Sequence, residues 1–182
     1  MYLSASTMTV QGLIDTVARG NLNAAPALGH SETEGVMGFS FDIANFAKKA
    51  NGNADQVVRK TVLDIGTRLV ERTPVGDATY WAHPAPPGYV GGYARANWQH
   101  SIGAPIISEV AGVDASGSGT NARIMASVPV KAGGLVHFIT NSVPYIQRLE
   151  DGHSRQCPPN GMVGLTVTEF QGIVGTAAGG VK

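Results

Sequence analysis

The sequence predicts an α+β chain in which helices flank a few short antiparallel strands. Three observations carry this. Ala54, Val57, Val58, Thr61, Val62, Ile65, Leu69 and Val70 recur at helical spacing. Three short runs read as strands, Tyr93 to Ser101 and Arg123 to Val128 by their alternation and Leu135 to Thr140 as a run apolar on both faces. Between helix and strands lies a proline- and glycine-rich loop, Thr73 to Gly92, longer than most connections in a compact domain. The chain thus divides into an N-terminal arm over residues 1–38, an α+β core over 39–176 that contains the long loop 73–92, and a flexible tail over 177–182.

In chain order, Met8 to Arg19 places Val10, Leu13, Ile14 and Val17 on one face of a short helix. The arm then continues to Gly38 without periodicity. It can fold back on its own domain or lie on a neighbouring subunit. Phe39, Phe41 and Ile43 alternate like a strand before Phe46 and Ala47 take up helical spacing. The main helix is expected from Asn53 to Arg72. Asn53 and Gln56 fit a capping box, and Pro74 forces Thr73 out of helical geometry. Gly66, inside that helix, costs up to about 1 kcal/mol against alanine, which points to a close contact there.

Trp81, Tyr89, Tyr93 and Trp98 fall within eighteen residues of the loop and the run after it. Disordered segments are poor in aromatics, so these rings need a surface to pack against. In the strand expected from Tyr93 to Ser101, Ala94, Ala96, Trp98 and His100 share a face. Gly112 to Asn121 reads as a flexible hairpin loop leading to a strand that carries Ile124, Ala126 and Val128 on one side. Leu135 to Thr140, apolar on both faces, reads as a central strand. Pro144 opens a short helix that turns Tyr145, Ile146 and Leu149 inward, with Gly152 as its stop. After the Pro158 and Pro159 turn, Met162 to about Thr176 fits a last helix, and the end of the chain is expected to fray.

Composition narrows the function. Thirteen basic and thirteen acidic residues cancel in 182, and charged residues make up only 14%. A chain without a basic field is a poor sequence-specific nucleic-acid binder. Low charge with 24 glycines and 10 prolines suggests a loop-rich protein partly covered by others. Cys157 stands alone, so no intramolecular disulfide is expected. The apolar run near Met1 is broken by Gln11 and Asp15 and lacks a basic start, so it does not read as a signal peptide. No stretch is long and apolar enough for a membrane span. The expectation is a soluble protein made in a cytoplasm.

Chemistry is hard to find in the sequence. His153 and Cys157 alone have suggestive metal spacing, short of the three or four ligands of a zinc site. A thiol nucleophile at Cys157 needs an oriented base, and neither His153 nor His137 is marked as one. His137, inside an apolar strand, reads as a core histidine satisfied by a backbone carbonyl. Gly88, Gly91 and Gly92 precede a strand and open no helix, unlike a phosphate loop. No catalytic, cofactor-binding or metal residue is therefore assigned.

Three segments, RLVERTPVGD, APPGYVGGYARANWQHSIG and ITNSVPYIQRLEDGHSRQCPPNGMV, resemble the neck or tail-completion proteins of long-tailed bacteriophages. The resemblance spans about Phe39 to Phe170; many members carry a shorter TPVDTG in place of Thr73 to Gly92, although a longer form occurs. It implies a small twisted antiparallel sheet with flanking helices, in a subunit that forms a ring of six or twelve. Such a ring sits in the virion between the head connector or head-closure protein and the tail terminator or tail tube protein. It lines a channel through which DNA passes without sequence-specific binding. The candidate subunit contacts are Trp81, Pro86, Pro87, Tyr89, Tyr93, Arg95 and Tyr145. Two rival readings are a tail terminator that caps the tail tube and a cysteine-dependent hydrolase.

Overall fold

The computed structural model describes residues 34–157 and 160–181, with side chains from residue 44 onward. The expected helix at Met8 to Arg19, the arm up to residue 33 and the Pro158 and Pro159 turn lie outside the described residues. Those that are described form helices around a two-stranded antiparallel sheet, a mixed α+β arrangement.

The chain is organised on α1, Glu34–Arg72, a helix of 39 residues. It does not begin at Asn53. It runs through Asn53 and through the Phe39 to Ile43 stretch read as strand-like. Nothing there stops it, because Gly52 only weakens a helix and no proline intervenes. From Val58 onward one face is buried, with Val62, Ile65, Leu69 and Val70 in the core. Gly66 sits where α1 meets a neighbour: a Cβ there would lie 3.1 Å from Ile124 Cγ2. The first half is different, with every residue from Ala44 to Asn51 exposed.

Thr73 ends α1 and anchors the segments after it. Its N–H donates to the Leu69 carbonyl at 3.1 Å, and its hydroxyl donates to the same carbonyl at 2.6 Å. The Trp98 indole N–H then donates to the Thr73 hydroxyl oxygen at 2.7 Å. Arg95 donates to the Thr73 carbonyl from Nε and Nη2, at 3.0 and 2.7 Å.

The strand expected from Tyr93 to Ser101 divides into a single helical turn, α2, Tyr93–Ala96, and a strand, β1, Gln99–Ile102. Gly92, with φ of 104°, turns the chain into α2. Asn97 then holds the corner, donating to the Tyr93 and Val110 carbonyls and accepting from the Val110 N–H. The inward set survives the change, since Ala94, Ala96, Trp98 and His100 are all buried.

The second expected strand is a helix, α3, Ser118–Ser127, and the expected hairpin loop is its approach. Asp114 is the cause. Its carboxylate accepts from the Gly117 and Thr120 N–H groups at 2.9 and 2.7 Å and from the Ser116 and Thr120 hydroxyls. Partial burial raises its pKa, but the bonds from Thr120, Ser116 and Gly117 outweigh this and hold it at about 2. Helical geometry turns Thr120, Ile124 and Val128, each four apart, onto one buried stripe. Asp114→Ala is expected to cost about 1–2 kcal/mol, as losing a cap does, and to lower helicity by circular dichroism. Unchanged urea unfolding would count against this role.

The third strand stands as β2, His137–Thr140, and pairs antiparallel with β1 in the register Gln99 with Thr140 through Ile102 with His137. The sheet therefore has two strands where three were expected. His137 is satisfied as expected: its Nε2 lies 2.9 Å from the Ala132 carbonyl and must donate to it. Its Nδ1 then accepts from His100 Nε2 at 2.9 Å, and His100 Nδ1 lies 2.9 Å from the Ser127 hydroxyl oxygen, which is also 2.7 Å from the Ile124 carbonyl. Burial, and after it the proximity of His137, lowers the His100 pKa to about 4.

His100 makes stability depend on pH. The folded pKa of His100 lies below the unfolded value of 6.5, so the unfolded chain takes up the proton first. Stability is complete above that value, falls as pH drops toward about 4, and levels off below. The expected loss between pH 7.5 and 4.5 is about 2–3 kcal/mol in urea unfolding, and His100→Gln flattens the slope. Equal stabilities at the two pH values would contradict a buried neutral His100.

The remaining helices close the core. They are α4, Ile146–Glu150, α5, Met162–Thr168, and α6, Phe170–Gly179. Glu150 ties α4 to α5, its carboxylate accepting from the N–H groups of Met162, Val163 and Gly164 at 2.8, 3.0 and 2.8 Å. Arg72 grips both Glu169 oxygens at 2.7 and 2.8 Å, and Arg68 joins them. That places α6 along α1, burying Phe170, Ile173 and Ala177. The end of the chain is thus helical to Gly179, beyond the expected fraying point, and Ala177 is fully buried.

Candidate functional site

Trp81, Tyr89, Tyr93 and Tyr145 come together around one cleft of about 360 Å³. Pro74 and Leu149 complete its apolar walls, so the long loop forms one side and the segment after β2 the other. The loop is ordered by short local bonds. Asp77 accepts from the Thr79 N–H and hydroxyl at 2.9 and 2.8 Å, making a single 3₁₀ turn at Ala78–Tyr80 that delivers Trp81. Those bonds, the N–H first, lower the Asp77 pKa. A second turn, in which the Tyr89 N–H donates to the Pro86 carbonyl at 3.1 Å, returns Tyr89 toward Trp81. The two rings meet with centroids 4.6 Å apart and planes tilted by 58°. The Tyr89 hydroxyl closes over Gly76, where a side chain would collide with it.

Across the cleft, the Tyr93 hydroxyl donates to Glu109 at 2.7 Å, and this bond raises the Tyr93 pKa. Tyr145 is raised by burial first, then by Tyr89, Tyr93 and Glu109 nearby. Both tyrosines therefore stay neutral at physiological pH. Asp77 and Glu109 supply negative charge beside an apolar floor. The rings remain open to solvent, Trp81 at 41% and Tyr89 at 39%.

The other expected contact residues fare differently. Pro86 and Pro87 lie on the turn outside the cleft, where they shape the loop. Arg95 is engaged within its own chain, donating to the carbonyls of Thr73, Glu71 and Ala115. Tyr145, expected to turn inward, precedes α4 and stays exposed at the cleft wall, while Ile146 and Leu149 do pack on the core. Glu109 had no signal in the sequence, because only the fold brings it to Tyr93.

The Cys157 thiol is pushed up by burial and then by Glu150, away from the thiolate a nucleophile needs. Among the described residues, no three His, Cys, Asp or Glu side chains gather as a metal site, and no helix is long and apolar enough to cross a membrane. Comparisons with protein-family models, curated proteins and solved structures found no match to the chain.

Proposed function

We propose that this chain is a structural subunit of the neck of a tailed bacteriophage virion, assembled as a ring of six or twelve in the cytoplasm of the bacterial host. The ring joins the head connector to the tail and lines the channel through which DNA leaves. The observation that carries the reading is the aromatic cleft: paired, half-exposed rings on a well-packed body, with no reactive group among them. Rings of this kind are what protein interfaces use as anchors.

Three further features support it. The segments RLVERTPVGD, APPGYVGGYARANWQHSIG and ITNSVPYIQRLEDGHSRQCPPNGMV resemble neck proteins, and in the fold they form the end of α1, the two cleft walls, and the Glu150 cap. A balanced charge suits a conduit, because tight phosphate binding would retard DNA. The exposed stretch of α1 from Ala44 to Asn51 is a surface without a partner among the described residues.

Negative-stain images of particles made without the protein test this reading. Full heads and separate tails are expected. Joined, infectious particles would overturn it, and density confined to the last ring of the tail tube would assign the chain as a tail terminator instead.

A further inference from the structure

We infer that copies of this chain join head to tail, the exposed α1 stretch Ala44 to Asn51 of one copy seating Phe46 in the aromatic cleft of the next. The inference deepens the neck reading and rests on it. It starts from two surfaces that no described residue covers. Phe46 is 68% exposed, on a stretch of helix from Ala44 to Asn51 that no other described residue covers. The cleft offers Trp81, Tyr89 and Tyr145 and about 360 Å³ of space. That volume lies within the roughly 300–1,000 Å³ of sites that enclose small ligands, ample for one ring.

Geometry decides which copy fills the cleft. Phe46 lies in the first half of one continuous helix and Pro74 just past its end, 28 residues apart. At 1.5 Å per residue that is about 42 Å, so Phe46 cannot turn back into its own cleft. Two different surfaces at opposite ends give a heterologous contact, which closes into a ring when the rotation allows. A contact made by a two-fold dimer would instead use one patch on both copies.

Charge agrees with the placement. On a helix, Phe46, Lys49 and Ala50 share a face. Lys49 stands one turn beyond the ring and is exposed. Of the charged groups around the cleft, the carboxylates Asp77, at the loop turn, and Glu109, on Tyr93, can meet it, while Arg148 stands beside Tyr145 and Leu149 on the other wall. Alanine at position 50 lets the helix backbone lie close to the cleft wall.

Cysteine pairing tests the contact directly. In a Cys157→Ser background, Phe46→Cys with Trp81→Cys is oxidised in purified protein and in purified particles. Because the two positions are too far apart within one chain, any disulfide joins copies. The inference expects a ladder of covalent multimers from the double variant and none beyond dimers from either single variant. Phe46→Asp, at an exposed site, should keep the unfolding midpoint while raising the concentration for half-assembly at least tenfold.

Joined particles that contain the protein, give no ladder and tolerate Phe46→Asp would overturn the contact while leaving the neck reading intact. A ladder from purified protein with no copies in particles would keep the contact and overturn the neck reading. Protection of the cleft by the segment before Glu34 of the same chain, seen as a loss of labelling at Trp81→Cys in monomers, would overturn the contact as well.

Discussion

Trp98→Ala is expected to destabilise the protein by about 3–5 kcal/mol, the range for deleting a large buried aromatic. That is a large share of the roughly 5–15 kcal/mol by which a domain is folded. The side chain is 1% exposed and lies within the main core beside Leu69, Val70 and Ile124. Its indole N–H also closes a chain of bonds through the Thr73 hydroxyl to the Leu69 carbonyl. Removing the ring opens a cavity at the point where the end of α1 is tied to the rest of the fold. Trp98→Phe separates the two contributions, because it keeps most of the apolar volume and loses the donor. A cost of about 1–2 kcal/mol is expected for it, since the Thr73 oxygen loses its buried donor. Urea unfolding of the two variants checks this. A loss below about 1 kcal/mol for the alanine variant would contradict the central place given to Trp98.

The second large effect is on assembly and leaves the fold alone. Trp81→Ala combined with Tyr89→Ala removes both loop rings of the cleft, which are well exposed and outside the main core. Substitutions at such positions change stability by about 0.5 kcal/mol, and the loss of the ring pair adds up to about 1. The same rings buried at an interface would act as anchors worth about 2 kcal/mol or more each, a factor of about 30 in affinity per site. Closing a ring repeats that loss at every contact. Joined particles are therefore expected to fall by at least two orders of magnitude in yield, on the order of the squared per-site factor, while the purified variant unfolds nearly as wild type does. Titre of infectious particles measures the first and thermal unfolding the second. Normal titre with a weakened fold would make the rings structural.

Where the sequence is legible, a physical constraint is strong and local. The stripe from Val58 to Val70 reads as a helix because its burial follows one period, and Pro74 marks its end. Gly66 reads as a close contact, and Ile124 fills that position. His137 reads as a core residue on a carbonyl. The start of α1 is not legible, because Asn53 and Gln56 form a capping pattern that the uninterrupted helix leaves unused. Alternation misleads at Arg123 to Val128: Ile124, Ala126 and Val128 mimic a strand, yet Thr120, Ile124 and Val128 also lie four apart, and Asp114 decides in favour of the helix.

The candidate site is half legible. Aromatic clustering marks Trp81, Tyr89, Tyr93 and Trp98; the cleft gathers the first three with Tyr145, whose spacing reads as inward, while Trp98 is core. Arg95 looks free because its partners are backbone carbonyls, which no side-chain pattern advertises. Leu149 lines the cleft, and Glu109 meets the Tyr93 hydroxyl at its edge, only through the path of the chain around the β1–β2 pair.

A cryo-EM map of the intact neck tests the central claim most directly. The account predicts a closed ring of copies of this chain around the axial channel, between connector and tail, with the Trp81 and Tyr89 cleft of each covered by its neighbour. A neck without this chain, or copies there whose clefts face solvent, would contradict it.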